Sequence, residues 1–541
     1  MISNNVVTSD PALHVPGHLS FAQYIIDKLR ENCEHEDFVC VINGDTGHKI
    51  TTKQILQDTV NVATGLQKMG VKRGDVIGVC SENRDEYISA VLAVICSGAT
   101  VTTLNVLYTK EEMTHVLNIS KPKMIFASEV GLKRNIATMK SISSIKKIIQ
   151  FNGPLVDETV IDFKRVGVKT DPQLFEPVEV QGWADTVLIL YSSGTTGLPK
   201  GVMLTHLNAL YSAASFNHDN RPKDKTLLTI VPWYHAFGLL STINYVLVKK
   251  QMVYLAGFNP LKYLSTIQEY KVTSLAAVPP IVVFLGKAPI VEKYDLSSIA
   301  VIWCGAAPLS AETIKQAMKR LPNCIGIFQA YGMTETSLVA TTDKMEDNVK
   351  RKPGSGGYPL AGVKAKVVDI ETRKRLGPNE NGEICLKGPI IMKGYAGDEA
   401  ATRAMFDEEG YMKTGDIGYY DKDGCFYIVD RLKELIKYKG SQVAPAAVES
   451  VVLQHSGVAE CGVVGAPDEV AGELPVAFVV KKPGSNVTAK ELLDFTDARL
   501  SSSSRLHGGV IFVDEIPKNP SGKILRRALK QKLLQKSKSH L

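Results

Sequence analysis

Short apolar, β-rich runs alternate with helical patterns along most of this chain. VIGVC precedes a helix near 84–97, KMIFAS precedes GLKRNIATMK, and TSLAAV precedes a helix near 281–287. Repeated alternation of this kind is the mark of βαβ units, so it predicts parallel sheets whose ligand sites lie at the carboxyl ends of strands. Residues 301–312 show the scheme in miniature. Val301-Ile302-Trp303 reads as a strand, Gly305-Ala306-Ala307-Pro308 as a small-residue turn, and Ser310 as the N-cap of a helix starting at Ala311-Glu312.

After about residue 360 the texture changes to short strands with polar turns, including an Asp423-Gly424 hairpin, which predicts a β-rich subdomain over about 360–430. A charged joint, Asp430-Arg431-Leu432-Lys433, then leads into a compact α+β unit. The chain's 541 residues exceed the usual size of one core. The expected organisation is a large domain over 1–430, a joint at 431–433 and a small domain over 434–541.

The net charge of +7 is modest and spread along the sequence, which suits small anions better than nucleic acid. One local excess stands out: residues 518–541 carry eight Lys or Arg and no acid, and read as a solvated tail. Nine cysteines show neither C-x-x-C nor a pairing rhythm, against both zinc and a disulfide framework. No secretory signal precedes the first helix, so the sequons at Asn118 and Asn486 are expected to go unused. The longest apolar stretch, Ile88 to Ala99, is too short for a membrane span of about 20 residues and reads as a buried helix. Ser539-His540-Leu541 resembles the S-K-L address, predicting a peroxisomal location and a peroxisomal import receptor as partner.

The chemistry concentrates in YSSGTTGLPKG, residues 191–201, directly after the apolar run Val187 to Leu190. A strand feeding a loop of Gly, Ser and Thr brings backbone N–H groups and hydroxyls close to an anion, and a lysine adds charge, so phosphate is the natural guest. The spacing fails the Walker pattern, because Pro199 precedes Lys200 and Gly201 follows it.

This loop, with VPWYHAFG (231–238), CGAAPLS (304–310), QAYGMTET (329–336), the run from Tyr411 to Gly440 and PKNPSGKILRR (517–527), resembles the adenylate-forming superfamily of acyl-CoA synthetases, coumarate-CoA ligases, beetle luciferases and peptide-synthetase adenylation domains. The late motifs are most similar to beetle luciferases and the luciferase-like fatty acyl-CoA synthetases of insects. The resemblance implies an α/β fold with a large N-terminal domain of βαβ subdomains and a small mobile C-terminal domain. It implies ATP and Mg²⁺, with coenzyme A as co-substrate, and a reaction in which a carboxylate attacks the α-phosphate, expels pyrophosphate and passes to a thiol.

Residue by residue, it implies that Ser192, Ser193, Gly194, Thr195, Thr196, Gly197 and Lys200 cradle the β- and γ-phosphates. Glu335, beside Thr334, supplies an oxygen ligand to the metal, in keeping with that ion's preference for carboxylate and phosphate oxygens. Gly305, Ala306, Ala307, Gln329, Tyr331, Gly332 and Ile428 form the nucleotide site, with the Tyr331 ring on adenine. Asp416 takes the ribose hydroxyls with help from Arg431. His235 stands by the reacting carboxylate, and Phe237, Leu338 and Val339 line the acid pocket.

Lys523 is implied to bridge the carboxylate and the α-phosphate during adenylation. Rotation about Lys433 then replaces it with a face carrying Lys437, Lys439 and Gly440 for thiol attack. Two positions depart from the luciferase pattern: Leu338-Val339 stand where Ser-Ala is typical, and Ser212 stands where an arginine is typical. Both departures favour a fatty acyl-CoA synthetase over a luciferase. A coumarate-type ligase is the other enzymatic alternative, and a non-catalytic binder is disfavoured by retention of Glu335, Asp416, Arg431 and Lys523.

Overall fold

The computed structural model describes residues 1–9, 15, 18–34, 36–193, 198–217, 225–307, 309, 311–343, 352–439, 441–518 and 523–538. Two large sheets organise the first part of the chain. One runs Gly394–Tyr395, Pro199–Thr205, Thr186–Ser193, Thr100–Leu104, Val76–Cys80, Met124–Ala127, Lys147–Gln150, Ile161–Asp162. It is parallel from Thr186–Ser193 onward, and its first two strands are antiparallel additions.

The other runs Tyr358–Pro359, Thr341–Thr342, Gly326–Tyr331, Val301–Cys304, Ser274–Ala277, Thr226–Thr229, Gln251–Tyr254, Val39–Asn43, Lys49–Thr51. Its middle is parallel from Gly326–Tyr331 to Val39–Asn43. The expected helices follow their strands, at Asp85–Cys96, Glu129–Ser141, Pro279–Lys287 and Ala311–Met318.

Helix Asp85–Cys96 shows why the sequence folds this way. Every residue from Tyr87 to Cys96 is buried, so it has no polar face to present to water. It shares one apolar cluster with side chains of Phe21–Asn32, Thr52–Lys68 and Ala236–Leu247. Burying each of its aliphatic side chains is worth about 2 kcal/mol, and Leu92→Asp would break the layer by stranding a charge there. Surface helices are started by side-chain caps instead, at Ser20, Thr51, Ser128 and the Thr109–Glu112 capping box.

A third, antiparallel sheet runs Ile2–Ser3, Val6–Thr8, Lys364–Val368, Gly382–Lys387, Met412–Tyr420, Phe426–Arg431. Its later strands match the β-rich texture read from the sequence, but the amino-terminal hairpin joins it as well. Val7, 2% exposed, packs into its core, a long-range pairing that no local pattern announces. Gly424, at φ +80, makes the tight turn between the last two strands.

The remaining sheet gathers Ile436–Tyr438, Ser441–Val443, Val458–Asp468, Gly472–Lys481 and Val510–Phe512. Here the reading of 518–541 as a solvated tail is corrected. Arg526–Lys538 is a helix, with Leu529 wholly buried against Val464 and Phe478. Arg526 grips both oxygens of Glu449 at 2.8 and 2.9 Å and reaches Glu434 at 2.8 Å. Counting charges missed the apolar stripe between them.

Ser539, His540 and Leu541 lie outside the described residues. Among the described residues no helix is long and apolar enough to cross a membrane.

Candidate active site

The glycine-rich segment joins two antiparallel strands, Thr186–Ser193 and Pro199–Thr205, with Ser192 opposite Lys200 and Ser193 opposite Pro199. It is thus a hairpin rather than a strand-to-helix turn, in line with its failure of the Walker spacing. Gly194, Thr195, Thr196 and Gly197 lie outside the described residues, as does the side chain of Ser193. The Lys200 ammonium sits 4.8 Å above the ring of Tyr395.

Glu335 lies in the single turn Thr334–Thr336 and is 3% exposed. Its Oε1 accepts from Ser192 Oγ at 2.8 Å and from the Tyr395 hydroxyl at 3.0 Å. Its Oε2 is buried and has no hydrogen-bond partner among the described residues. A desolvated carboxylate oxygen left open in this way is costly unless something binds it, and a hard cation such as Mg²⁺ is the fitting guest.

The backbone following this turn is unusual. Ser337 and Leu338 take φ of +53° and +99°, and an added Cβ at Gly332 would lie 2.0 Å from the Leu338 carbonyl oxygen. Gly332 is therefore required by close backbone approach, with strain concentrated beside the cavity.

Asp416, 4% exposed and expected to take the ribose hydroxyls, accepts from the Tyr331 hydroxyl at 2.7 Å and pairs with Arg431 Nε at 3.2 Å. Asp416 and Arg431 are direct cross-strand neighbours, so one hairpin fixes both. Burial pushes the Asp416 carboxyl above its ordinary range, with Arg431 opposing the shift. Lys523 shares this field: burial, then the Arg431 charge, hold its ammonium down to about 8, against the pull of Glu434 and Asp416. Lys523 thus lies within the electrostatic reach of Asp416 and Arg431. Lys437 and Lys439 are exposed, and the Lys439 N–H donates to Ala471 O at 2.8 Å. Lys433 sits in the turn Leu432–Glu434, and Gly440 lies outside the described residues.

His235 is the residue before helix Ala236–Leu247. Burial holds its imidazole down to about 4, so it is neutral, and its Nε2 is buried with no partner among the described residues. From it a cavity of about 300 Å³ extends along successive turns of that helix, past Phe237, Ser241 and Tyr245 to Val248 and Lys250. Leu338, Val339, Thr334, Gly332, Gly305 and Ala306 line it too, together with Ser212 and Trp303.

Gln329, expected in the nucleotide site, accepts from Leu309 N–H at 3.1 Å and donates to Ser355 O at 3.0 Å, so its amide also braces the turn. Ile428 packs in the apolar cluster of the third sheet with Tyr331. Ala306, beside Ala307, adopts φ +73° in the small-residue turn.

Sequence reasoning missed Tyr395 and Trp303. Tyr395 enters through the pairing of Gly394–Tyr395 with Pro199–Thr205, which no local pattern predicts. Trp303 had a signal: it lies one residue from the carboxyl end of the apolar strand Val301–Cys304, just before the small-residue turn where ligands gather.

Comparison with known proteins agrees with this geometry. The AMP-binding enzyme family model matches residues 29–396, and that of the AMP-binding enzyme C-terminal domain matches residues 447–523. The luciferin 4-monooxygenase of Nipponoluciola cruciata is 41% identical over 507 residues, covering 91% of each chain. The 4-coumarate–CoA ligase 3 of Arabidopsis thaliana is 38% identical over 531 residues, covering 97% of this chain and 93% of its own. The crystal structure of ATP-bound MatB from Rhodopseudomonas palustris superposes with a TM-score of 0.83 at 27% identity, covering 95% of this chain and 99% of that one. Matched by this family's model over residues 29–396 and by a relative 41% identical over 91% of its length, this chain belongs to the AMP-binding, adenylate-forming enzyme family.

Proposed function

We propose that this protein is an AMP-forming acid–thiol ligase that activates a fatty acid as its acyl-adenylate and transfers the acyl group to coenzyme A. The observation that carries the reading is the union of Lys523, brought beside Asp416 and Arg431, with an apolar cavity that opens at neutral His235. In this reading the acid lies along helix Ala236–Leu247 with its carboxylate at His235. Lys523 and the Lys200 hairpin neutralise charge that develops on the α-phosphate and the departing pyrophosphate.

His235 Nε2 is a neutral group aimed at the carboxylate and orients the attacking oxygen without adding charge. Asp416 exchanges its Tyr331 hydrogen bond for ribose hydroxyls. Glu335 would hold Mg²⁺, which when bound would neutralise phosphate charge. Lys523 then leaves as the small domain turns about Lys433, and the face with Lys437, Lys439 and Gly440 meets the thiol.

The acid is proposed to be an alkyl chain because Leu338, Val339, Phe237, Val248 and Trp303 give the cavity apolar walls. A coumarate-type acid is the alternative that the Arabidopsis relative's name favours. Luciferin oxidation is the alternative that the Nipponoluciola relative's name favours, and the Leu338-Val339 pair weighs against it. A CoA-dependent AMP-release assay over straight-chain fatty acids, cinnamates and luciferin tests the reading. Turnover of fatty acids above the others supports it, and turnover of cinnamates alone overturns it. The same proposal places the protein in peroxisomes through Ser539-His540-Leu541; a fluorescent fusion that keeps its puncta after deletion of these residues would refute that part.

A further inference from the structure

Tyr395 has no assigned part in this chemistry, yet it touches both charged groups of the phosphate site. Its hydroxyl donates to Glu335 Oε1 at 3.0 Å, and its ring carries the Lys200 ammonium at 4.8 Å. The residue is 6% exposed and is held by backbone on all sides. Met392 N–H donates to Glu335 O at 2.9 Å and Lys393 N–H to Met203 O at 2.9 Å, while Ala396 N–H donates to Gly201 O at 2.8 Å. Tyr395 N–H itself donates to Thr402 Oγ1 at 2.8 Å. These bonds stitch one short segment to the strand bearing Lys200 and to the turn bearing Glu335, so the phenol has little freedom to move.

An ammonium and a carboxylate that share one neighbour attract each other more strongly than a cation is drawn to a ring face, so the group standing between them decides whether they pair. Here the ring occupies Lys200, while Ser192 and the phenol occupy Oε1, so only Oε2 is left open. We propose that Tyr395 is a positioning residue that keeps Lys200 off Glu335 and aims Glu335 Oε2 at the cation of metal–ATP. Removing the hydroxyl loosens the carboxylate, and removing the ring lets the lysine close the metal position. The proposal rests on the adenylating reading of the site, but its test needs no acid substrate and no turnover.

The measurement is ATP affinity by calorimetry, with saturating Mg²⁺ and with EDTA, on the full chain and on Tyr395→Phe, Tyr395→Leu and Glu335→Gln. For the unaltered chain Mg²⁺ tightens ATP binding. Tyr395→Phe, nearly isosteric, loses about tenfold in affinity for metal–ATP and keeps its metal-free affinity, as is typical when a ligand's supporting hydrogen bond is removed. Tyr395→Leu loses metal-free affinity as well, because Lys200 is drawn onto Glu335 and away from phosphate.

In a Glu335→Gln background Tyr395→Phe costs nothing further, which a merely structural role would not produce. Electron paramagnetic resonance of Mn²⁺ with ATP gives the same ranking without calorimetry and applies even to a variant of reduced stability. Unchanged metal–ATP affinity in Tyr395→Phe, or equal losses with and without metal, overturns the proposal. Absence of any Mg²⁺ effect on the unaltered chain sinks the adenylating reading itself.

Discussion

The polar and apolar ends of this site are built in opposite ways. At the polar end two trios, Ser192–Glu335–Tyr395 and Tyr331–Asp416–Arg431, are each joined by hydrogen bonds or ion pairs of 2.7–3.2 Å. Within each trio one partner fixes the next, so a single substitution misplaces a charge. In the cavity Phe237, Val248, Trp303, Leu338 and Val339 offer mainly apolar walls. A bonded network tolerates few residue types, whereas a wall of van der Waals contacts tolerates many of similar volume. In the proposed function the first end therefore serves the reaction, and the second the choice of acid.

Breaking the polar end should give the largest effect. Lys523→Ala removes a positioned charge whose loss is expected to cost about 10²- to 10³-fold in pyrophosphate exchange. Transfer of a preformed acyl-adenylate to coenzyme A should be spared, because in the proposed cycle that step uses the other face of the small domain. Equal loss in both half-reactions would detach Lys523 from adenylation.

The pH dependence is a gentler version of the same test. Burial and the Arg431 charge hold the Lys523 ammonium down to about 8, so its charge is present below that pH and is lost as pH rises through it. Adenylation kcat/KM should then fall about tenfold between neutral pH and one unit above this value. A guanidinium keeps its charge throughout that range, so in Lys523→Arg the alkaline fall should disappear even if the plateau is lower. Persistence of the same limb in Lys523→Arg would assign it to another group.

This contrast explains what was legible in the sequence. Ser192, Glu335, Asp416, Arg431 and Lys523 stand out in the sequence because their motifs are contiguous, and the structure sets Ser192 against Glu335 and Asp416 against Arg431. Parallel strands were legible because each is followed closely by its helix, as at Val76–Cys80 and Asp85–Cys96. Tyr395 was not, since its function arises from pairing with a strand nearly two hundred residues earlier. The hairpin at Ile2–Thr8 escaped for the same reason, joining strands more than 350 residues away. The partners of Gln329 were not legible either, because a buried amide is satisfied by whatever lies within reach, here Leu309 and Ser355.

At the apolar end the expected effects are smaller and concern preference. Trp303 stands between Ala276 and Phe328 in neighbouring strands and stacks on Phe328 at 5.2 Å. Its indole fills width that alanine would leave open. Trp303→Ala should therefore shift preference toward longer or bulkier acids, by about tenfold in relative kcat/KM, the scale on which a few methylenes are discriminated. The KM for ATP should stay the same, because the hydrogen-bonded end is untouched. An unchanged acid profile would move the specificity wall elsewhere in the cavity.

The smallest effect is expected at Leu338. Its φ of +99° lies in a region that disfavours leucine and serine alike, so Leu338→Ser alters the wall of the cavity with little change in backbone cost. The exchange removes apolar contact for an alkyl chain and adds a hydroxyl beside the reacting end of the acid. With ATP, Mg²⁺ and luciferin, light yield should rise a few fold, on the order of 1 kcal/mol of transition-state stabilisation. Fatty acid turnover should fall by a similar factor. The two activities must move in opposite directions: if both fall together, Leu338 serves the stability of the turn between Glu335 and the cavity rather than the choice of acid.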